Sequence, residues 1–191
     1  MRFYVLLINM LLLLSFSSAH AGSSWKAMIF ASGEQKDDAV HECQLFFGVS
    51  HDEEKVELPP EQNEYTVKIE LIGQTNDGTF LRYFSDIRTY GKAKYEWLLN
   101  VNPHGNVPPP FTSRTATISW NPEEFGNGTY ELYKGDDTGN FELIVPNMHI
   151  VNQLDVEGLN EDFEFLIVFK PNYLADVIEI LNFLSSKSVN P

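Results

Sequence analysis

The residues of this chain best equipped for chemistry are its carboxylates. Asp136-Asp137-Thr138-Gly139-Asn140 gathers oxygen donors around a glycine, a composition suited to calcium. Calcium takes about six to eight oxygens. This segment supplies too few on its own, and it lacks the terminal glutamate of a dedicated calcium loop. It reads as a hairpin turn between Tyr133 and Phe141. Asn76-Asp77-Gly78 reads as another turn, and Asp52-Glu53-Glu54 as a solvated loop. No cofactor is therefore expected, calcium being the one ion for which donors are gathered. Paired carboxylates for glycoside hydrolysis need a separation of about 5 to 9.5 Å across a cleft. Glu70 and Glu96 stand for the many acids available, but strand alternation places such residues on a solvated face.

Other reactive side chains are scattered. His41, His51, His104 and His149 lack the paired spacing of a zinc site. Cys43 is the single cysteine, so no internal disulfide forms. Only His41 is near it in sequence, and in a strand the two would share a face. The chain has no Gly-x-Ser-x-Gly elbow and no His-Glu-x-x-His helix. The expectation is a protein that is not an enzyme. Aromatic residues offer a different chemistry, because rings exposed in one plane stack on sugars. Tyr83, Tyr90, Tyr95, Trp97, Tyr130 and Tyr133 are candidates for a carbohydrate platform, whereas alternation assigns Trp97 and Trp120 to the core. Asn127-Gly128-Thr129 is an N-glycosylation sequon, and its Asn-Gly step also makes a tight turn.

The elements that must hold these residues begin after a leader. Arg2, the apolar run Phe3 to Leu14, and Ala19-His20-Ala21 follow the order of a secretory signal. The run is shorter than the roughly 20 residues that span a bilayer. Cleavage after Ala21 is expected, with no membrane span afterwards and a secreted or periplasmic location. No cysteine directly follows that point, which disfavours a lipid anchor. The 191-residue chain has 27 acidic and 13 basic residues, a net charge of −14. Such a surface repels phosphate backbones, so no nucleic acid is expected; it suits a soluble protein, a cation-rich setting or a basic partner.

Beyond the leader the hydrophobic pattern has period two, broken by turn residues. Strands are expected at Trp25 to Phe30, Ala39 to Val49, Glu64 to Ile72, Thr79 to Ile87, Lys94 to Val101, Arg114 to Trp120, Thr129 to Lys134, Asn140 to Val145, His149 to Val156 and Asp162 to Lys170. His51 to Glu57 reads as a charged loop that leads to Pro59-Pro60. Asn102 to Pro110, with Pro103 and Pro108 to Pro110, is a second loop and a candidate sub-boundary. After Pro171, the spacing of Tyr173, Leu174, Val177, Ile178, Leu181 and Leu184 is helical, with Asn172 as N-cap. Asp176, Glu179 and Asn182 lie on the opposite side. This helix is expected either to cover the strands or to dock a partner protein.

The stretch from Ala116 to Val168 resembles a fibronectin type III or related immunoglobulin-like module. Thr117-Ile118-Ser119-Trp120-Asn121-Pro122 is similar to the strand that carries that fold's core tryptophan. Tyr130-Glu131-Leu132-Tyr133 is similar to the strand that follows. Val156-Glu157-Gly158-Leu159 with Phe163 to Val168 is similar to its late turn-and-strand unit. Phe163 lacks the hydroxyl of a tyrosine corner, and no strand after Lys170 closes the module. The resemblance implies a sandwich with an open edge, which the earlier strands could cover, and says nothing of chemistry.

The expected architecture is thus all-β: a composite immunoglobulin-like antiparallel β-sandwich with one C-terminal α-helix. Residues 1–21 are the signal, 22–171 the sandwich, and 172–191 the helix and tail. The expected function is an exported, non-catalytic binding or assembly module that contacts a protein partner of the cell envelope. A carbohydrate-binding module is the alternative.

Overall fold

The computed structural model describes residues 24–33, 42–57, 67–74, 77–104 and 112–172. The leader, His41, the prolines Pro108 to Pro110 and the helix expected from Tyr173 lie outside the described residues, as do its face residues Leu174, Val177, Ile178, Leu181 and Leu184.

Within the described residues the chain is nearly all strand. β1 (Trp25–Gly33), β2 (Glu42–Ser50) and β3 (Glu54–Glu57) are followed by β4 (Lys68–Gln74), β5 (Phe80–Thr89) and β6 (Tyr95–Asn102). After the second loop come β7 (Arg114–Trp120), β8 (Gly128–Gly135), β9 (Phe141–Val145), β10 (Gln153–Gly158) and β11 (Phe163–Pro171). A single 3-10 turn, Pro122–Glu124, is capped by Asn121, whose side chain accepts from the Glu123 N–H. The strands follow the alternation of the sequence. In β7 every second residue from Arg114 to Trp120 is buried.

The strands form one curled, mixed sheet in the order β10-β7-β1-β2-β5-β4-β6-β11-β8-β9. The expected all-β class therefore holds, whereas the described strands make one curled sheet in place of the expected two-sheet sandwich. The all-antiparallel pairing does not hold, because β2 runs parallel to β5. β5 explains the curl. On one side its Tyr83 and Ser85 to Ile87 pair with β3. On the other, Phe80 to Tyr83 pair with β4 and Ser85 to Thr89 pair with β2. Two strands thus leave the same edge of β5, and the sheet forks into an arm of β2, β1, β7 and β10 and an arm of β4, β6, β11, β8 and β9.

The arms share one core. Trp25 of β1 makes edge-on contacts with Trp97 of β6, Tyr130 of β8 and Phe169 of β11, at ring separations of 5.1 to 6.0 Å. Phe47 of β2 meets Trp97 at 5.1 Å. Edge-to-face geometry aligns positive ring edges with negative ring faces, which adds to apolar burial. Trp97 and Trp120 lie in this core, as alternation requires. Both indole N–H groups are satisfied: Trp97 donates to the Asp86 carbonyl at 3.0 Å and Trp120 to the Met148 carbonyl at 2.8 Å. Gly126 must lack a side chain, since a Cβ there would lie 2.2 Å from Trp25 Cδ1.

Two features depart from the sequence reading. Glu54 to Glu57, read as loop, is a strand whose side chains are all exposed. It has no apolar face for a pattern to reveal. Its pairing with β5 is reinforced by Glu54, which accepts from Lys26 at 2.9 Å and Ser85 at 2.8 Å. The strand expected from His149 starts only at Gln153, because Asn147 holds the preceding residues in a turn. The edge of β11, by contrast, is covered on both sides, by β8 and by the earlier strand β6, the cover that the sequence reading allowed for.

Candidate functional site

Sheet edges, not pockets, distinguish this molecule. Among the described residues β3, β9 and β10 are each hydrogen-bonded to one neighbour only. β3 spans four residues and slips register between Val56 and Glu57. β9 slips between Leu132 and Tyr133 on its pairing with β8. Such irregularities twist an edge away from further pairing. β10 has no irregularity. Gln153 to Gly158 pair one-to-one with Ser119 to Arg114.

The local sequence sets this strand in place. Met148 is fully buried, and its N–H donates to the Tyr130 carbonyl at 3.0 Å. Its own carbonyl accepts the Trp120 indole. Asn147 caps the turn, its side chain accepting from the His149 N–H and its carbonyl from Ile150 and Val151. With Met148 pointing inward, Ile150 and Val151 project outward, at 79% and 42% exposure. Trp120 N–H then donates to the Asn152 carbonyl at 3.0 Å. Antiparallel hydrogen bonding alternates from that pair. The backbone groups of Leu154, Val156 and Gly158 therefore turn to β7, and those of Gln153, Asp155 and Glu157 turn to the open edge. Thr117 Oγ1 donates to Asp155 at 2.7 Å and Ser113 Oγ to Glu157 at 2.8 Å, which fixes both carboxylates on the outer face. Gly158 ends the strand. A Cβ there would lie 2.6 Å from the Phe163 ring. Leu159 follows, 56% exposed.

No protein-family model, curated protein or solved structure matches the chain.

Among the described residues, the sequence-selected side chains are not brought together into a reactive centre. In the 136–140 turn, Asp136 is occupied by its own loop. Its Oδ1 accepts from the Thr138 N–H, the Thr138 hydroxyl and the Asn140 N–H at 2.7 to 2.9 Å. These bonds hold its carboxyl down to about 2. Gly139 completes the turn at a φ of 81°, a conformation that suits a residue without Cβ. Asp77 likewise accepts from the Thr79 N–H across its own turn. Among the described residues no three His, Cys, Asp or Glu side chains gather as metal ligands. His51 lies tilted against Tyr90, His104 is buried with Nε2 2.8 Å from the Thr112 carbonyl, and His149 packs edge-to-face with Phe125 and Tyr130. Cys43 is half-buried, and desolvation raises its thiol above the ordinary range.

Glu70, read as surface, is 1% exposed. Lys68 at 3.0 Å, Asn100 at 3.2 Å and Arg82 at 3.5 Å surround its carboxylate. It pairs in register with Asn100. Glu96 lies four residues further along β6, roughly 13 Å at strand rise, and is held by Lys94 at 2.7 Å. That spacing exceeds the glycosidase range. Of the platform candidates, Tyr83, Tyr95, Trp97 and Tyr130 belong to the core, and Tyr90 and Tyr133 are half-buried. Burial raises the Tyr130 phenol well above its usual range, and its hydroxyl donates to the Gly126 carbonyl at 3.1 Å. Asn127 is exposed in the bend before β8. A shallow depression of about 380 Å³ lies beside β1, lined in part by Ser24, Lys26, Asp52 and Glu54.

Sequence reasoning missed β10 as a regular edge strand that is open among the described residues. The signal was present: two alternating carboxylates, Asp155 and Glu157, between the apolar groups Ile150-Val151 and Leu159.

Proposed function

We propose that this chain is an exported, non-catalytic binding module that works through protein–protein contacts at the cell surface or in the periplasm. One observation carries the reading: a regular strand, paired on one side only among the described residues, lies between the exposed apolar residues Ile150, Val151 and Leu159. Exposed apolar groups beside unpaired backbone favour burial against another protein over sugar, whose recognition needs a flat ring surface. Export is supported by the leader pattern from Arg2 to Ala21. The curled sheet is read as a distorted immunoglobulin-like sandwich. Trp120 sits in the core as that likeness requires, and Tyr130 supplies a hydroxyl-to-backbone bond four residues upstream, like the corner sought at Phe163.

A photo-crosslinking residue placed at Ile150, with a control at Thr138, tests the proposal in the native cells. A discrete protein adduct from position 150 alone is expected. The same purified partner should bind the Ile150→Glu variant at least tenfold more weakly. Equal labelling from both positions, or retention on insoluble polysaccharide without any protein adduct, overturns it.

A further inference from the structure

We propose that β10 binds its partner by strand addition, and that the partner segment is extended and basic at alternate positions. This rests on the protein-binding reading and names the mode and chemistry of the contact.

Three properties of β10 converge. The first is its backbone. Gln153, Asp155 and Glu157 turn their N–H and C=O groups to the open side, by alternation from the Trp120–Asn152 bond. An incoming strand satisfies all of them in one register. The second is regularity. β3 and β9 are interrupted by register shifts and β10 is not, so the usual structural block to edge pairing is missing there.

The third is charge, which selects among partners. The exposed side chains of β10 are Gln153, Asp155 and Glu157. In an added strand, residues directly opposite lie about 4.5 to 5.5 Å away at Cβ. Antiparallel pairing of β10 with a second copy, centred on Asp155, would set Asp155 against Asp155 and Glu157 against Gln153. Each copy also carries a net charge of −14. A second copy is therefore repelled, and Lys or Arg opposite Asp155 and Glu157 is attracted. The acidic pair acts as a filter: it blocks self-association at an otherwise unprotected edge and admits a basic strand. Thr117 and Ser113 hold the two carboxylates in position for this without neutralising them. Ile150 with Val151 flank one end of the strand, and Leu159 flanks the other. An apolar residue near each end of the partner segment matches them.

The test uses a blocked peptide, acetyl-VTKTKTV-amide, with a scrambled peptide of the same composition as control. Amide exchange of the protein is followed by NMR. Binding by strand addition slows exchange at Gln153, Asp155 and Glu157 at least tenfold, and the scrambled peptide does not. The Asp155→Pro variant removes one edge N–H without touching the β7 ladder and should lose the protection. A second variant, Asp155→Lys with Glu157→Lys, keeps every backbone group and should lose the basic peptide while accepting acetyl-VTETETV-amide. Protection that is absent, or equal for both basic peptides, overturns strand addition. Protection that survives the double lysine change overturns the charge filter. If strand addition fails while the Ile150 adduct persists, the protein-binding reading stands with a different contact; if the adduct is absent, that reading falls first.

Discussion

Trp25→Ala should cost this protein about 3 to 4 kcal/mol. Trp25 is where the two arms of the forked sheet meet, because its ring touches Phe47 of its own arm and Trp97, Tyr130 and Phe169 of the other. An aromatic side chain buries about 150 to 250 Å², worth roughly 4 to 6 kcal/mol at 25 cal/mol per Å². Trp25 is half-buried, which reduces that transfer part to about 2 to 3 kcal/mol. Each edge-to-face pair adds about 0.5 to 1.5 kcal/mol, but the four share one ring and do not add fully. The void left behind contributes further, and the total lies within the range of about 3 to 5 kcal/mol seen for large aromatic truncations. On a total stability of about 5 to 15 kcal/mol, this is a large fraction. The assay is urea unfolding followed by far-UV circular dichroism, with Phe80→Ala as control. Phe80 is 68% exposed and should cost under about 0.5 kcal/mol. Trp25→Ala should lower the midpoint with the slope and the single transition preserved. A loss below about 1 kcal/mol would refute the view that the arms share one core held at Trp25. So would a biphasic transition, which would mean that each arm unfolds on its own.

Two further expectations follow from named contacts. Tyr130→Phe leaves the Gly126 carbonyl without its hydroxyl donor and should destabilise by about 1 to 2 kcal/mol, measured by the same urea titration; an unchanged midpoint would mean that the bond contributes nothing. Asp136 should titrate near 2 by carboxyl carbon chemical shift, held there first by the Thr138 hydroxyl and then by the Asn140 N–H. A folded pKa below the unfolded value favours the fold above the ordinary carboxyl range, and that contribution is lost as pH falls through about 2. Thr138→Val removes the hydroxyl donor and should move the midpoint up towards 3.8, the ordinary value; a midpoint that stays near 2 would refute the assignment.

How much of this was legible in the sequence depends on whether a residue reports its own environment. Arg114 to Trp120 was read to the residue, because alternating burial writes itself into composition. Trp97 and Trp120 were placed in the core for the same reason. The turns at Asp77 and Asp136 were legible from their Asx-Gly chemistry. β3 was not, since a strand exposed along its whole length carries no period. The fork at β5 was also hidden. Which strands share an edge depends on non-local pairing, and β2 and β4 contain nothing that names β5 as their common neighbour. Glu70 misled, because a charged residue in alternation reads as solvated when cations in fact enclose it. The candidate edge at β10 was legible in its residues but not in its role. Whether an edge is open is a property of the finished sheet.

The pairing of β6 with β11 has a consequence for how the chain is made. β6 offers Tyr95, Trp97, Leu99 and Val101 to the core, but the strand that covers its second side begins at Phe163. From Asn102 to Phe163 a ribosome adding about 5 to 20 residues per second takes roughly 3 to 12 seconds. For that interval an apolar strand has emerged with one side unmatched, and the half of the chain already made cannot finish folding. The core around Trp97 therefore closes only once β11 has been made, and until then the free side of β6 is open to pairing with whatever strand comes near it.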